Sequence, residues 1–127
     1  WWKLQLAYSH FDGWPGTDPL TGNRFRGFLP LEGSPTNQAS LTNTFQLGSA
    51  VVLNTQVRYV DELLGGNIPS YVDGDVRLRY EAPGGLEVSL VGENLFEPRR
   101  FEFFYLTYPA PPSAVARNVA LDLRYRF

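Results

Sequence analysis

Apolar and polar side chains alternate through six stretches of this chain, each roughly a dozen residues long. They are WWKLQLAYSHF (1–11), TNQASLTNTFQL (36–47), SAVVLNTQVRYV (49–60), SYVDGDVRLRYEA (70–82), GLEVSLVGENLF (85–96) and ARNVALDLRYRF (116–127). Successive side chains of a β-strand point to opposite faces, so each stretch predicts a strand with one apolar and one polar side. In the last of them Val119, Leu121, Leu123, Tyr125 and Phe127 share one face, and Ala120, Asp122, Arg124 and Arg126 the other. No sustained helical spacing interrupts the pattern, and the reading is all-β. These runs exceed the ~5–6 residues of an ordinary soluble strand and match the ~9–11 that a tilted strand needs to cross a bilayer.

The connections alternate in length. A long one (12–35), a tight one at Gly48-Ser49, a middling one (61–69), a tight one at Pro83-Gly84-Gly85 and a long one (97–115) follow in turn. Short turns at one end and long loops at the other are the habit of outer-membrane barrels, which puts Phe127 and the tight turns at the periplasmic end. Aromatic residues lie toward the ends of the apolar stripes (Phe45, Tyr59, Tyr80, Tyr125, Phe127) and aliphatic ones in the middle, as two water–lipid interfaces require. A soluble antiparallel sandwich also alternates. Strand length, loop asymmetry, aromatic placement and simple hairpin order together favour an up-and-down transmembrane barrel.

Composition agrees without deciding. A formal charge of -2 offers nothing to nucleic acid, and the absence of cysteine removes disulfides and thiolate chemistry. No apolar run reaches the ~18–20 residues of a membrane-spanning helix. A mean hydropathy of -0.22 is compatible with a barrel, whose strands are apolar only at alternate positions. A start at Trp1-Trp2, with no leader and no methionine anywhere, points to a piece of a longer chain. On the polar face, a turn centred near Pro83 sets Arg79 opposite Glu87, with Arg124 or Arg126 beyond, which predicts a lumenal charge ladder.

Two features carry a family resemblance. The ending VALDLRYRF resembles the aromatic-terminated last strand that barrel-assembly machinery recognises, with Leu121, Leu123, Tyr125 and Phe127 as the assembly and anchoring residues. From about Ser34 onward, the succession VRYVDEL, IPSYVDGDVRLRYEA and VGENLFEPRRFEF resembles the C-terminal part of a TonB-dependent outer-membrane receptor. Its most specific element is Gly92-Glu93-Asn94-Leu95-Phe96, with Arg99, Arg100, Glu102 and Phe103 following. The resemblance implies a barrel of about 22 strands with a plug domain upstream, of which residues 1–127 supply the final six strands. It further implies residence in the outer-membrane bilayer of a Gram-negative cell, TonB coupling through N-terminal parts, and uptake of a small molecule such as a ferric siderophore, cobalamin or a glycan. A passive pore or small structural barrel would share these strands.

Chemistry is sparse. His10, the single histidine, has Ser9 and Asp12 beside it in sequence, but neighbours on a strand face opposite ways and make no triad. Asp73 and Asp75 fail as a calcium loop because Arg77 occupies the next ligand position and the required glycine is missing. No catalytic, metal or cofactor site is predicted. The external loops hold the binding candidates, where aromatic surfaces and guanidinium groups suit anionic or aromatic chelates. These are Arg99, Arg100, Phe101, Phe103, Phe104, Tyr105 and Tyr108 in the last loop, and Trp14, Arg24 and Arg26 in the first.

Overall fold

The computed structural model describes residues 1–12, 34–63, 68–103 and 113–127, with the backbone alone at 102, 103 and 113. It contains β1 (Trp2–His10), β2 (Asn37–Leu47), β3 (Val51–Val60), β4 (Tyr71–Glu81), β5 (Leu86–Glu93), β6 (Arg99–Phe103), β7 (Ser113–Ala116) and β8 (Asn118–Tyr125). Six strands form one antiparallel sheet in the order β1-β2-β3-β4-β5-β8, and β6 and β7 pair as a separate hairpin. Each of the six expected stretches holds one strand of the main sheet. The hairpin inside the last loop was not foreseen, since five residues pairing with four offer too short an alternation to register. β5 stops at Glu93 instead of running to Phe96, because Asn94 turns into the left-handed region at φ 55°.

Every pairing preserves the division into faces. Phe45 pairs with Trp2 and with Leu53, Leu53 with Leu78, Leu78 with Leu90, and Leu90 with Leu121, so one apolar row crosses the whole sheet. A polar row, Arg58 with Asp73 and Asn54 with Arg77, runs on the reverse side. Two polar residues in the middle of the apolar side satisfy each other: Asn43 Nδ2 donates to Thr55 Oγ1 at 3.4 Å, and Trp2 Nε1 donates to Asn43 Oδ1 at 3.3 Å.

The β4–β5 register differs from the expected one. Glu81 faces Glu87 and Arg79 faces Ser89, because the three-residue loop Pro83-Gly84-Gly85 centres on Gly84 and is closed by the Ala82 amide donating to the Leu86 carbonyl at 2.7 Å. Moving the centre by one residue moves each partner by two, so the faces are unchanged. The charge ladder survives as diagonals: Glu87 lies 3.8 Å from Arg79 and 3.8 Å from Arg124, its cross-strand partner. Arg126 is not part of it; its place is at the strand end, where its amide donates to the Gly85 carbonyl at 3.0 Å.

In the middle of the sheet burial also distinguishes the faces. The buried residues of the main sheet that carry side chains, Val52, Val60, Asp73, Ser89 and Val91, all belong to the polar face. Leu6, Leu41, Val57, Leu78, Leu90, Leu121 and Leu123 on the apolar face are exposed. No second layer of strands or helices covers the apolar face among the described residues. Aromatic rings collect at both ends of the apolar face. Trp2 stacks on Phe45 at 6.1 Å and Tyr125 leans on Phe127 at 6.4 Å near the tight turns, while Tyr8 and Tyr59 lie at the other end. The sheet is open, with β1 and β8 as its two edges.

Gly84 and Gly85 both sit at φ 88°. A Cβ on Gly84 meets nothing, whereas on Gly85 it would lie 2.5 Å from the Arg126 carbonyl oxygen. Gly84→Ala should therefore cost about 1 kcal/mol of backbone strain and Gly85→Ala clearly more, as read by denaturant unfolding.

Candidate functional site

The element Gly92 to Phe96 forms a built corner at the long-loop rim. On either side of it the pairing of the last two long strands continues, with Glu93 opposite Asn118 and Arg99 opposite Ala116. Between those pairs, residues 94–98 face Arg117 alone, whose amide donates to the Pro98 carbonyl at 3.2 Å. The hairpin β6–β7 is thus the outward extension of β5 and β8, interrupted by an excursion on one strand. That excursion drops onto the apolar face. The Leu95 amide donates to the Gly74 carbonyl at 2.9 Å, and the Phe96 ring covers Gly74 so closely that a Cβ there would sit 2.7 Å from the Phe96 Cζ. Leu95 covers Gly92 in the same way, 3.0 Å from a Cβ built at that position. Two glycines in apolar rows leave hollows, and the next two side chains along the chain fill them.

The polar face holds the other half of the corner. Asp73 is 2% exposed and Arg100, reaching across from β6, is 6% exposed. Arg100 Nη2 donates to Asp73 Oδ2 at 2.8 Å, and the Gly74 amide donates to Asp73 Oδ1 at 2.8 Å. The guanidinium also lies over the Tyr71 ring, 3.9 Å from its centre, and Arg58 approaches the same carboxylate to 3.9 Å. Asn94 ties the two halves together: its amide donates to Asp75 Oδ1 at 3.0 Å, its Oδ1 accepts from Arg100 at 3.4 Å, and its Nδ2 donates to the Ala116 carbonyl at 3.3 Å. β4 is consequently gripped from both sides, by Phe96 on one and by Arg100 on the other.

A second network closes the same rim over β1, β2 and β3. Tyr8 Oη donates to Asn37 Oδ1 at 2.8 Å, and Asn37 Nδ2 donates to Asp61 Oδ2 at 2.8 Å. Because the Asp61 carboxylate can only accept, the Asn37 amide is oriented with its oxygen toward His10, whose Nδ1 at 2.8 Å must carry the proton. Hydrogen bonds from Asn37 and then from the Glu62 amide hold the Asp61 carboxyl below its ordinary range.

Of the expected ligand-binding residues, Arg99 and Phe101 are exposed on β6, and Arg100 is turned inward and committed to Asp73. The side chain of Phe103 and all of Phe104, Tyr105, Tyr108, Trp14, Arg24 and Arg26 fall outside the described residues. Leu121, Leu123, Tyr125 and Phe127 lie exposed along the apolar side of the last strand and its end. His10 bonds to Asn37, and Asp73 and Asp75 are taken up by Arg100 and backbone amides. Among the described residues, no three His, Asp or Glu side chains converge as a metal-binding set. Sequence reasoning passed over the pairing of Asp73 with Arg100. The available signal was Gly74 and Gly92, two empty places in otherwise filled apolar rows, followed by Leu95-Phe96. Set against protein-family models, curated proteins and solved structures, the chain matches none of them.

Breaking a buried ion pair by removing one partner strands the other charge, at about 3–5 kcal/mol. Asp73→Ala should lose stability on that scale and free the amides of β6 and β7 to hydrogen exchange, whereas Asp75→Ala, which gives up one bond to the Asn94 amide, should lose less.

Proposed function

We propose that this sheet is part of the wall of a transmembrane β-barrel in the outer membrane, and that the whole barrel is a TonB-dependent receptor importing a scarce solute. One observation carries the barrel half of the reading: most of the large aliphatic side chains of one face are exposed, while the buried side chains of the sheet belong to the polar face. A soluble sandwich covers its apolar face with a second layer. A membrane barrel reverses this, with apolar side chains outward to lipid and polar side chains toward the bore. Unguarded edges support the same reading. β1 and β8 are long, contain no proline, and offer backbone groups for further strands to pair with, so closure requires strands beyond these six. The receptor half rests on the resemblance of the Gly92 to Phe96 element and of the terminal strand.

In this reading the segment contributes wall, rim and assembly signal. Tyr125 and Phe127 anchor the last strand at the periplasmic interface. The external loops supply the surface that captures the solute, by binding and gated passage.

Two experiments test the halves separately. Leu121→Arg places a charge on the apolar face and should weaken folding into lipid vesicles by about 2–4 kcal/mol, while Asp122→Arg on the polar face should do far less. Equal penalties, or a monomer that folds cooperatively in water without detergent, would remove the barrel. For the receptor, disrupting the gene should abolish TonB-dependent growth on one supplied nutrient among ferric chelates, cobalamin and oligosaccharides. Unchanged growth on all three would remove the receptor and leave the barrel standing.

A further inference from the structure

Strand β6 begins with two arginines, and alternation sends them to opposite sides. Arg100 goes inward to Asp73 and Tyr71 on the polar face. Arg99 and Phe101 therefore project on the side of the apolar face. Exposure bears this out on both strands of the hairpin: Arg99, Phe101, Ala114 and Ala116 are exposed, Val115 is half-buried and Arg100 is buried. The outward residues are also cross-strand partners, Arg99 with Ala116 and Phe101 with Ala114, so small side chains leave the two large ones standing clear. Phe96, 55% exposed, lies on the same side over Gly74. Followed toward the rim, this side of the sheet passes from aliphatic rows at Leu90 and Leu121, to the ring of Phe96, to the guanidinium of Arg99 and the ring of Phe101.

Hydrocarbon, then aromatic, then cation is the order of a bilayer read from core to head groups. We propose that Arg99, flanked by Phe96 and Phe101, contacts a phosphate-bearing lipid head group at the outer rim and not the transported solute. The inference rests on the reading that the apolar face meets lipid, and it gives that face its upper boundary. Charge complementarity selects the occupant. A guanidinium presents a planar fork that matches phosphate oxygens in pairs, and the flanking rings sit where the head-group region meets acyl chains. Arg99 is available for this: among the described residues no side chain pairs with it. Glu93 is held on the polar face by Asn118, and Glu97 lies exposed in the excursion. The rim over β1 to β3 differs in kind, since Tyr8, Asn37, His10 and Asp61 bond among themselves there.

The test uses the full-length gene product in bilayer discs of phosphatidylcholine with a minor fraction of phosphatidylglycerol as the anionic probe. The lipid kept by the protein after mild delipidation is counted by native mass spectrometry. Wild type should retain phosphatidylglycerol preferentially, and Arg99→Gln should reduce that preference about fivefold, the weight of one basic side chain at an anionic surface. Arg99→Lys should keep most of it, and Arg77→Gln on the polar face should change nothing. Preference unchanged in Arg99→Gln overturns the proposal. A lipid-phase carbene label in the same discs separates the two readings. Labelling of Leu90 and Leu121 with unaltered lipid preference removes only the phosphate contact, while no labelling of either removes the membrane face along with it.

Discussion

The structure depends on register. Side chains repeat every two residues along a strand, so a slip of one residue in any of the five pairings would send an entire strand's apolar set to the polar side. None has slipped: Trp2, Phe45, Leu53, Leu78, Leu90 and Leu121 stay on one face through all six strands. Turn chemistry sustains this. Gly48 at φ 73° and the glycine pair after Pro83 adopt a backbone that L side chains resist, which pins each tight turn to one place.

Given that register, the two faces solve different problems. On the polar face, Asp73 is removed from water, and Arg100, the Gly74 amide and the nearby Arg58 replace the contacts that water would have made. On the apolar face the requirement is shape, since every hollow costs contact area. Gly74 and Gly92 are such hollows, and the excursion after Asn94 exists to fill them. One short segment thereby fastens the last loop to the wall by charge on one side and by volume on the other.

What could be read from the sequence was whatever depends on a period. The six strands, their faces and their neighbours follow from alternation together with Gly and Pro positions. The β4–β5 register was missed by two residues, because Pro83-Gly84-Gly85 permits more than one turn and only the Ala82 to Leu86 closure selects among them. The inward turn of Arg100 was missed for a different reason. Two adjacent arginines look equivalent in a loop, and they become opposites only once the loop is known to contain a strand. Arg100 was therefore grouped with the exposed aromatics that follow it, when its partner lay 27 residues upstream.

The hollow at Gly74 has a consequence for how this chain can vary. Phe96 occupies the space where residue 74 would carry its first side-chain carbon, so the two positions share a single volume although they lie on different strands. A larger residue at 74 is compatible with the corner only if residue 96 shrinks or leaves the face, and in that event the left-handed turn at Asn94 is held from the polar side alone. Among related chains, the glycine and the aromatic ring should then be kept together or lost together, a covariation between two positions 22 residues apart that share one volume.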